Sequence, residues 1–164
     1  MANYDDPNGF THVGGPSTMN EYTSSAAIAV GDLLSIASGK VLPYVEGDGT
    51  PFVSAIGVAA TSASATDEAV LVYDDPTSIF RVQTSGTYTA TTDDGTVCDV
   101  EGTTGIMEAN EDAAANETLV ILGQDVVKGA EDDGAANARI RVRIARHTFG
   151  SAPMRVSRSG STLT

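Results

Sequence analysis

Arg139-Ile140-Arg141-Val142-Arg143-Ile144, or RIRVRI, alternates charge and apolar bulk without a break. Successive side chains of a strand point to opposite faces. Ile140, Val142 and Ile144 therefore predict a core face, and Arg139, Arg141 and Arg143 an outer one. On a helix the same pattern would scatter apolar groups around the whole circumference. An antiparallel strand with one covered face is what this alternation suits. The stretch IFRVQTSG, 79–86, repeats it, with Ile79, Arg81 and Gln83 on one side and Phe80 and Val82 on the other.

Working outward, FVSAIGVAAT (52–61) reads as a buried strand in which Gly57 marks a bulge. AVLVYDD (69–75) is a strand stopped at Asp75-Pro76, and TLVILGQDVV (118–127) is another. Residues 26–52 hold short apolar stretches broken at Gly31-Asp32, Gly39-Lys40 and Gly47-Asp48-Gly49, which suits hairpin connections. GTYTATTDDGTVCDVEG (86–102) predicts a hairpin around Asp93-Asp94-Gly95. Residues 103–117 predict a short helix near 111–116 or a loop, and 128–138 a loop of small and acidic residues. About eight to ten short strands at this spacing, with turn signals between them, predict an all-β fold, an antiparallel β-barrel or sandwich. Amphipathic helices that would serve parallel crossovers are missing from the pattern.

Composition agrees. Val and Ile number 24 against 7 Leu, and Thr adds 19. β-branched side chains are stiff at χ1 and pack well on a pleated surface. Leu, Ile, Val and Phe together are 35 of 164 residues, enough for one modest core. We expect three parts: an extended N-terminal arm (1–25), a β domain (26–149) and a basic C-terminal tail (150–164). The arm is Gly-, Pro-, Asn- and Ser-rich, with Phe10, Val13, Met19 and Tyr22 as spaced apolar anchors for a neighbouring chain.

Charge divides the same way. All 22 acidic residues lie in 1–137, opposed there by Lys40, Arg81 and Lys128, so that part carries −19. Residues 138–164 carry six arginines and no acid, or +6. An acidic body repels phosphate, so nucleic acid is not an expected partner. Arg139, Arg141, Arg143 and Arg146 are instead expected to meet an acidic protein surface. MANYDD has no apolar h-region, and no run approaches membrane-spanning length, so neither a signal peptide nor a membrane partner is expected.

The chemistry-bearing residues are sparse. His12 and His147 lie far apart in sequence, and Cys98 has no base near it. The acidic pairs at 5–6, 74–75, 93–94 and 132–133 do not have EF-hand spacing and read as turn formers. Sugar hydrolases line their clefts with aromatics, and this chain has no Trp. No catalytic residue, metal or cofactor is expected, and the chain does not read as an enzyme.

Several stretches carry a family resemblance. They are Asn8-Gly9-Phe10 with Val13, Gly31-Asp32, Ile56-Gly57-Val58, and Val70-Leu71-Val72-Tyr73-Asp74-Asp75-Pro76 running into Phe80-Arg81-Val82-Gln83. Ile121-Leu122-Gly123 and Arg141-Val142-Arg143-Ile144 followed by His147 complete the set. Over residues 8–149 the chain resembles the capsid decoration, or cement, proteins of tailed bacteriophages. The resemblance implies a virion protein made in the host cytoplasm. It would bind the major capsid protein on the outer shell surface, stabilise that shell, and associate with itself as a homotrimer. It carries over no catalytic residue, and the basic tail beyond His147 departs from the family pattern. A phage tail or fibre module, or a carbohydrate-binding β-module, is the alternative.

Overall fold

A computed structural model describes residues 5, 7–46, 54–125 and 134–150. These residues form thirteen strands and one helical turn: β1 (Thr11–Gly14), β2 (Met19–Thr23), β3 (Leu33–Ala37), β4 (Lys40–Pro43), β5 (Ala55–Ala59), β6 (Ala69–Tyr73), β7 (Ile79–Gln83), β8 (Thr87–Tyr88), α1 (Ala90–Asp93), β9 (Val97–Glu101), β10 (Glu108–Asn110), β11 (Leu119–Gln124), β12 (Ala135–Ala136) and β13 (Arg139–Ile144). One sheet runs β1-β7-β13-β11-β9-β10, a second runs β2-β6-β5-β3-β4, and β12 pairs with β8. Every ladder between these strands is antiparallel. The expected all-β antiparallel architecture is present in its sandwich form, and neither sheet is a continuous closed barrel. Each nevertheless curls until isolated parallel bridges link strands from opposite ends, Thr84 to Ala109 in the first and Ser24 to Val41 in the second.

RIRVRI behaves as its alternation requires. Ile140, Val142 and Ile144 are buried, and Arg139, Arg141 and Arg143 are exposed. The main core gathers Phe80 and Val82 of β7, Cys98 and Val100 of β9, Leu119 and Ile121 of β11 and the β13 residues, with Leu33, Ala55 and Val58 from the second sheet. A smaller core lies on the other side of that second sheet, holding Leu34, Val41, Ile56, Ala59, Val70 and Val72. It is closed over by Ile28 and Ala63, whose backbones bond each other at 2.8 and 2.9 Å. The middle of the second sheet, β5 and the start of β3, is thus buried on both faces, which is why β5 reads as an unbroken apolar run.

Gly57 makes this double burial possible. Leu34 pairs with Gly57 and Ser35 with Ala55, so Ile56 bulges. The extra residue shifts the strand's parity. Ala55 and Val58 face the main core, while Ile56 and Ala59 face the smaller one. A Cβ at Gly57 would lie 2.2 Å from the Tyr73 carbonyl oxygen, so only glycine permits this strand approach. The Ser38-Gly39 turn between β3 and β4 is the expected hairpin. Both residues have positive φ (51° and 78°), the mirror-image turn that matches strand twist.

Two expectations change. Residues 86–102 do not form a hairpin: β8 pairs with β12 and β9 with β10 and β11, while Asp93-Asp94-Gly95 closes the α1 turn. Of the two alternatives at 111–116 the loop is the one present, because the Asp99 carboxylate accepts the N–H groups of Ala115, Asn116 and Glu117 (2.8–2.9 Å). The N-terminal segment does run extended, but two stretches of it are integral strands. β1 joins the first sheet beside β7, and β2 joins the second beside β6. The expected turn at 47–49 and the tail from 151 onward, with Arg155 and Arg158, lie outside the described residues.

Candidate functional site

Most buried polar side chains join one backbone segment to another. Asp32, fully buried at the start of β3, accepts the Ala29 N–H (2.8 Å) and the Gly105 N–H (2.7 Å), which pins two loops together. Burial pushes its carboxyl up, against those two hydrogen bonds. Asp74, just past β6, accepts the Tyr22 hydroxyl (2.6 Å) and the Asn20 amide (2.9 and 3.0 Å), clamping β2 to its neighbour. Burial, and then the bond to Asp74 and its charge, raise the Tyr22 hydroxyl to about 12. Glu46 accepts the Val100 N–H (2.7 Å) and the Thr118 hydroxyl (3.2 Å), and Tyr44 shares a hydrogen bond with that same hydroxyl at 2.9 Å. Each of these carboxylates is engaged by donors from other segments of the chain.

The histidines have separate tasks. His12 stacks on Tyr73 (4.7 Å between centroids) and its Nε2 lies 2.9 Å from the Pro16 carbonyl. His147 is buried, and its Nδ1 accepts the Phe149 N–H at 3.0 Å. Burial holds its imidazole below the ordinary value, opposed by Asp74 and Asp75. Cys98 is in the main core. Among the described residues no cluster of three or more His, Cys, Asp or Glu has metal-binding geometry, and no helix is long and apolar enough to cross a membrane.

The anchors expected in the N-terminal segment separate into three kinds. Phe10 is 3% exposed and belongs to the chain's own core, with its N–H on the Gly31 carbonyl at 2.8 Å. It is not available to a neighbour. Tyr22 is half-buried and committed to Asp74. Val13, at the bulge in β1, and Met19 are 41% and 42% exposed and remain surface groups. The sequence marked all four as apolar but held nothing to tell which would fold inward.

The arginines separate too. Arg146 is half-buried and donates to Glu117 at 3.1 Å, so it is an internal ion pair rather than a docking group. Arg139, Arg141 and Arg143 line the outer face of the first sheet. Arg141 stands directly opposite Arg81 of β7, which is half-buried and reaches Asp125 at 3.3 Å. Among the described residues no ion pair reaches Arg141 or Arg143. Around the same curled sheet, Glu101 of β9 stands directly opposite Glu108 of β10. Burial lifts the Glu108 carboxyl, and the charges of Asp5 and Glu101 lift it further, against a hydrogen bond from Gln83. The outer surface therefore carries a basic register pair and an acidic one. That second pair was legible in composition only as excess acid, because strand register decides which acids meet.

No protein-family model matches this chain, and no curated protein matches it.

Proposed function

We propose that this chain is a structural virion protein that binds the outer surface of a tailed-phage capsid through the major capsid protein, acts as a homotrimer and stabilises the shell. The observation that carries the reading is where the polar chemistry lies. Asp32, Asp74 and Asp99 hold strands and loops in place, while strand β13 presents an exposed arginine row on an otherwise acidic chain. A rigid double-cored fold with charge on its outer sheet face suits adhesion to a protein lattice, where several weak contacts act together. The family resemblance of residues 8–149 points the same way.

The direct experiment mixes the purified full chain with empty shells assembled from major capsid protein alone. Expected are saturable co-sedimentation, symmetric density on the outer surface by electron microscopy, and shells that survive harsher heating when decorated. A chain that leaves the shells bare, yet binds an immobilised glycan, would replace this reading with the carbohydrate-binding one.

A further inference from the structure

The two like-charge register pairs on the first sheet are an unusual combination in one small fold. Directly opposed like charges destabilise a ladder. Arg141 opposite Arg81 and Glu101 opposite Glu108 each carry that penalty. Arg81 is offset in part by Asp125. Arg141 is exposed, and its Nη2 and both Asp94 carboxylate oxygens converge on the space beside Gly123, which has no side chain to fill it. Arg143, opposite Val120, has no anion within ion-pair reach among the described residues. On the acidic side, Glu101 is exposed and its carboxylate accepts the Asn110 amide at 2.7 Å.

Both pairs point outward. Val100 and Ala109, the inward neighbours of Glu101 and Glu108, are core residues, as are Ile140 and Val142 beside Arg141. The sheet's curl sets the two pairs side by side around one surface, with Gln83 between them. Gln83 is the register partner of Arg139 and donates to Glu108 at 3.0 Å.

We infer that the arginine row of β13 in one copy docks on the Glu101–Glu108 ladder of a second copy. The inference rests on the self-association in the function proposed above, not on the capsid. The occupant is a second copy because the chain itself carries the complementary surface. The arginines recur at period two along β13, and Glu101 and Glu108 stand opposite each other on β9 and β10, so the row can meet the carboxylate pair. In the homotrimer proposed above the contact is head-to-tail, each copy's arginine row on the next copy's ladder, and the ring closes after three copies. Each like-charge penalty is relieved by the other, so association removes a defect present in the single copy. Screening at high salt weakens it.

The test is sedimentation velocity on the purified full chain with no shells present. Arg143→Glu and Glu101→Lys each alter one exposed side chain, and circular dichroism and melting temperature check that the fold is unchanged. Each variant alone is expected to weaken self-association by about tenfold or more. The double variant Arg143→Glu/Glu101→Lys is expected to recover it, because the reversed charges then complement each other at every contact. A wild-type chain that stays monomeric at high micromolar concentration overturns the inference, as does an oligomer indifferent to both substitutions and to salt. Variants that self-associate normally but lose shell binding would assign the arginine row to the shell and likewise overturn it. Normal charge-swap behaviour with no shell binding would instead sink the capsid reading and leave this one standing.

Discussion

Replacing Phe10 by Ala distinguishes a detached arm from a folded one. If Phe10 served only to anchor a neighbour, its loss would leave the single copy almost untouched, within about 0.5 kcal/mol as for surface substitutions generally. Its ring is instead 3% exposed in the main core. Withdrawing that much aromatic surface from water contributes about 1.5–3 kcal/mol. The cavity left among tightly packed neighbours raises the loss to about 3–5 kcal/mol. A domain of this size has only about 5–15 kcal/mol in total, so roughly a fifth or more of the stability would go. At roughly 2–4 °C per kcal/mol, the melting temperature should fall on the order of 10 °C. Urea unfolding by circular dichroism, at several dilutions, measures this on the monomeric reaction. Val13→Ala, at a 41% exposed site, is the control and should shift little. A Phe10→Ala midpoint equal to wild type at every dilution would refute the assignment of residue 10 to the core. Deleting residues 1–22 should likewise unfold or severely destabilise the body, since it removes β1 and most of β2.

Other substitutions probe the joints. Gly57→Ala places a methyl 2.2 Å from the Tyr73 carbonyl; overpacking costs about 1–3 kcal/mol, and a backbone clash belongs at the upper end, read as a lower urea midpoint. Asp74→Asn weakens the Tyr22 and Asn20 bonds, with an expected loss of about 1.5–3 kcal/mol, and lets the Tyr22 phenol titrate at lower pH by ultraviolet absorbance. Burial raises the Glu111 carboxyl above its ordinary 4.5, so the stability linked to its proton is fully present below that value and is lost as pH rises through the folded value. Glu111→Gln should therefore raise stability at neutral pH and flatten that slope; an unchanged pH profile would count against its burial. His147 has the opposite sign: burial lowers it from 6.5, so its contribution is present above that pH and lost as pH falls through 6.5 toward the folded value. His147→Gln should remove this loss in the same titration.

The residues also explain how far the sequence could be read. RIRVRI and IFRVQ declared themselves because each strand has one wet face, and periodicity then encodes orientation. In β5 both faces are dry, so apolar character is continuous and the parity change between Ile56 and Val58 leaves no mark except the glycine. The β8–β12 pairing joins Tyr88 to Ala135 across nearly fifty residues, and no local signal records it. The Asp93-Asp94-Gly95 turn chemistry was real but closes a helical turn. Phe10 was visible as an isolated aromatic, yet whether such a residue reaches its own core or another chain's depends on where Gly31 lies in space. Of the surface, the arginine row was visible, whereas the opposing Glu101–Glu108 pair exists only once β9 and β10 are in register.

β7 lies between β1 and β13 in the first sheet. Its two neighbours are the first and last strands among the described residues, so no nascent portion of the chain that lacks β13 can complete this sheet. Early β1 and β7 must wait for RIRVRI before the main core can close. Long-range pairing of this kind folds slowly, because loop closure precedes the contacts that reward it. Folding of the first sheet is therefore expected to follow release of β13 from the ribosome. The arginine face is itself part of that late strand, so the surface proposed for association and the finished core arise in the same step, and half-made chains lack that assembled face.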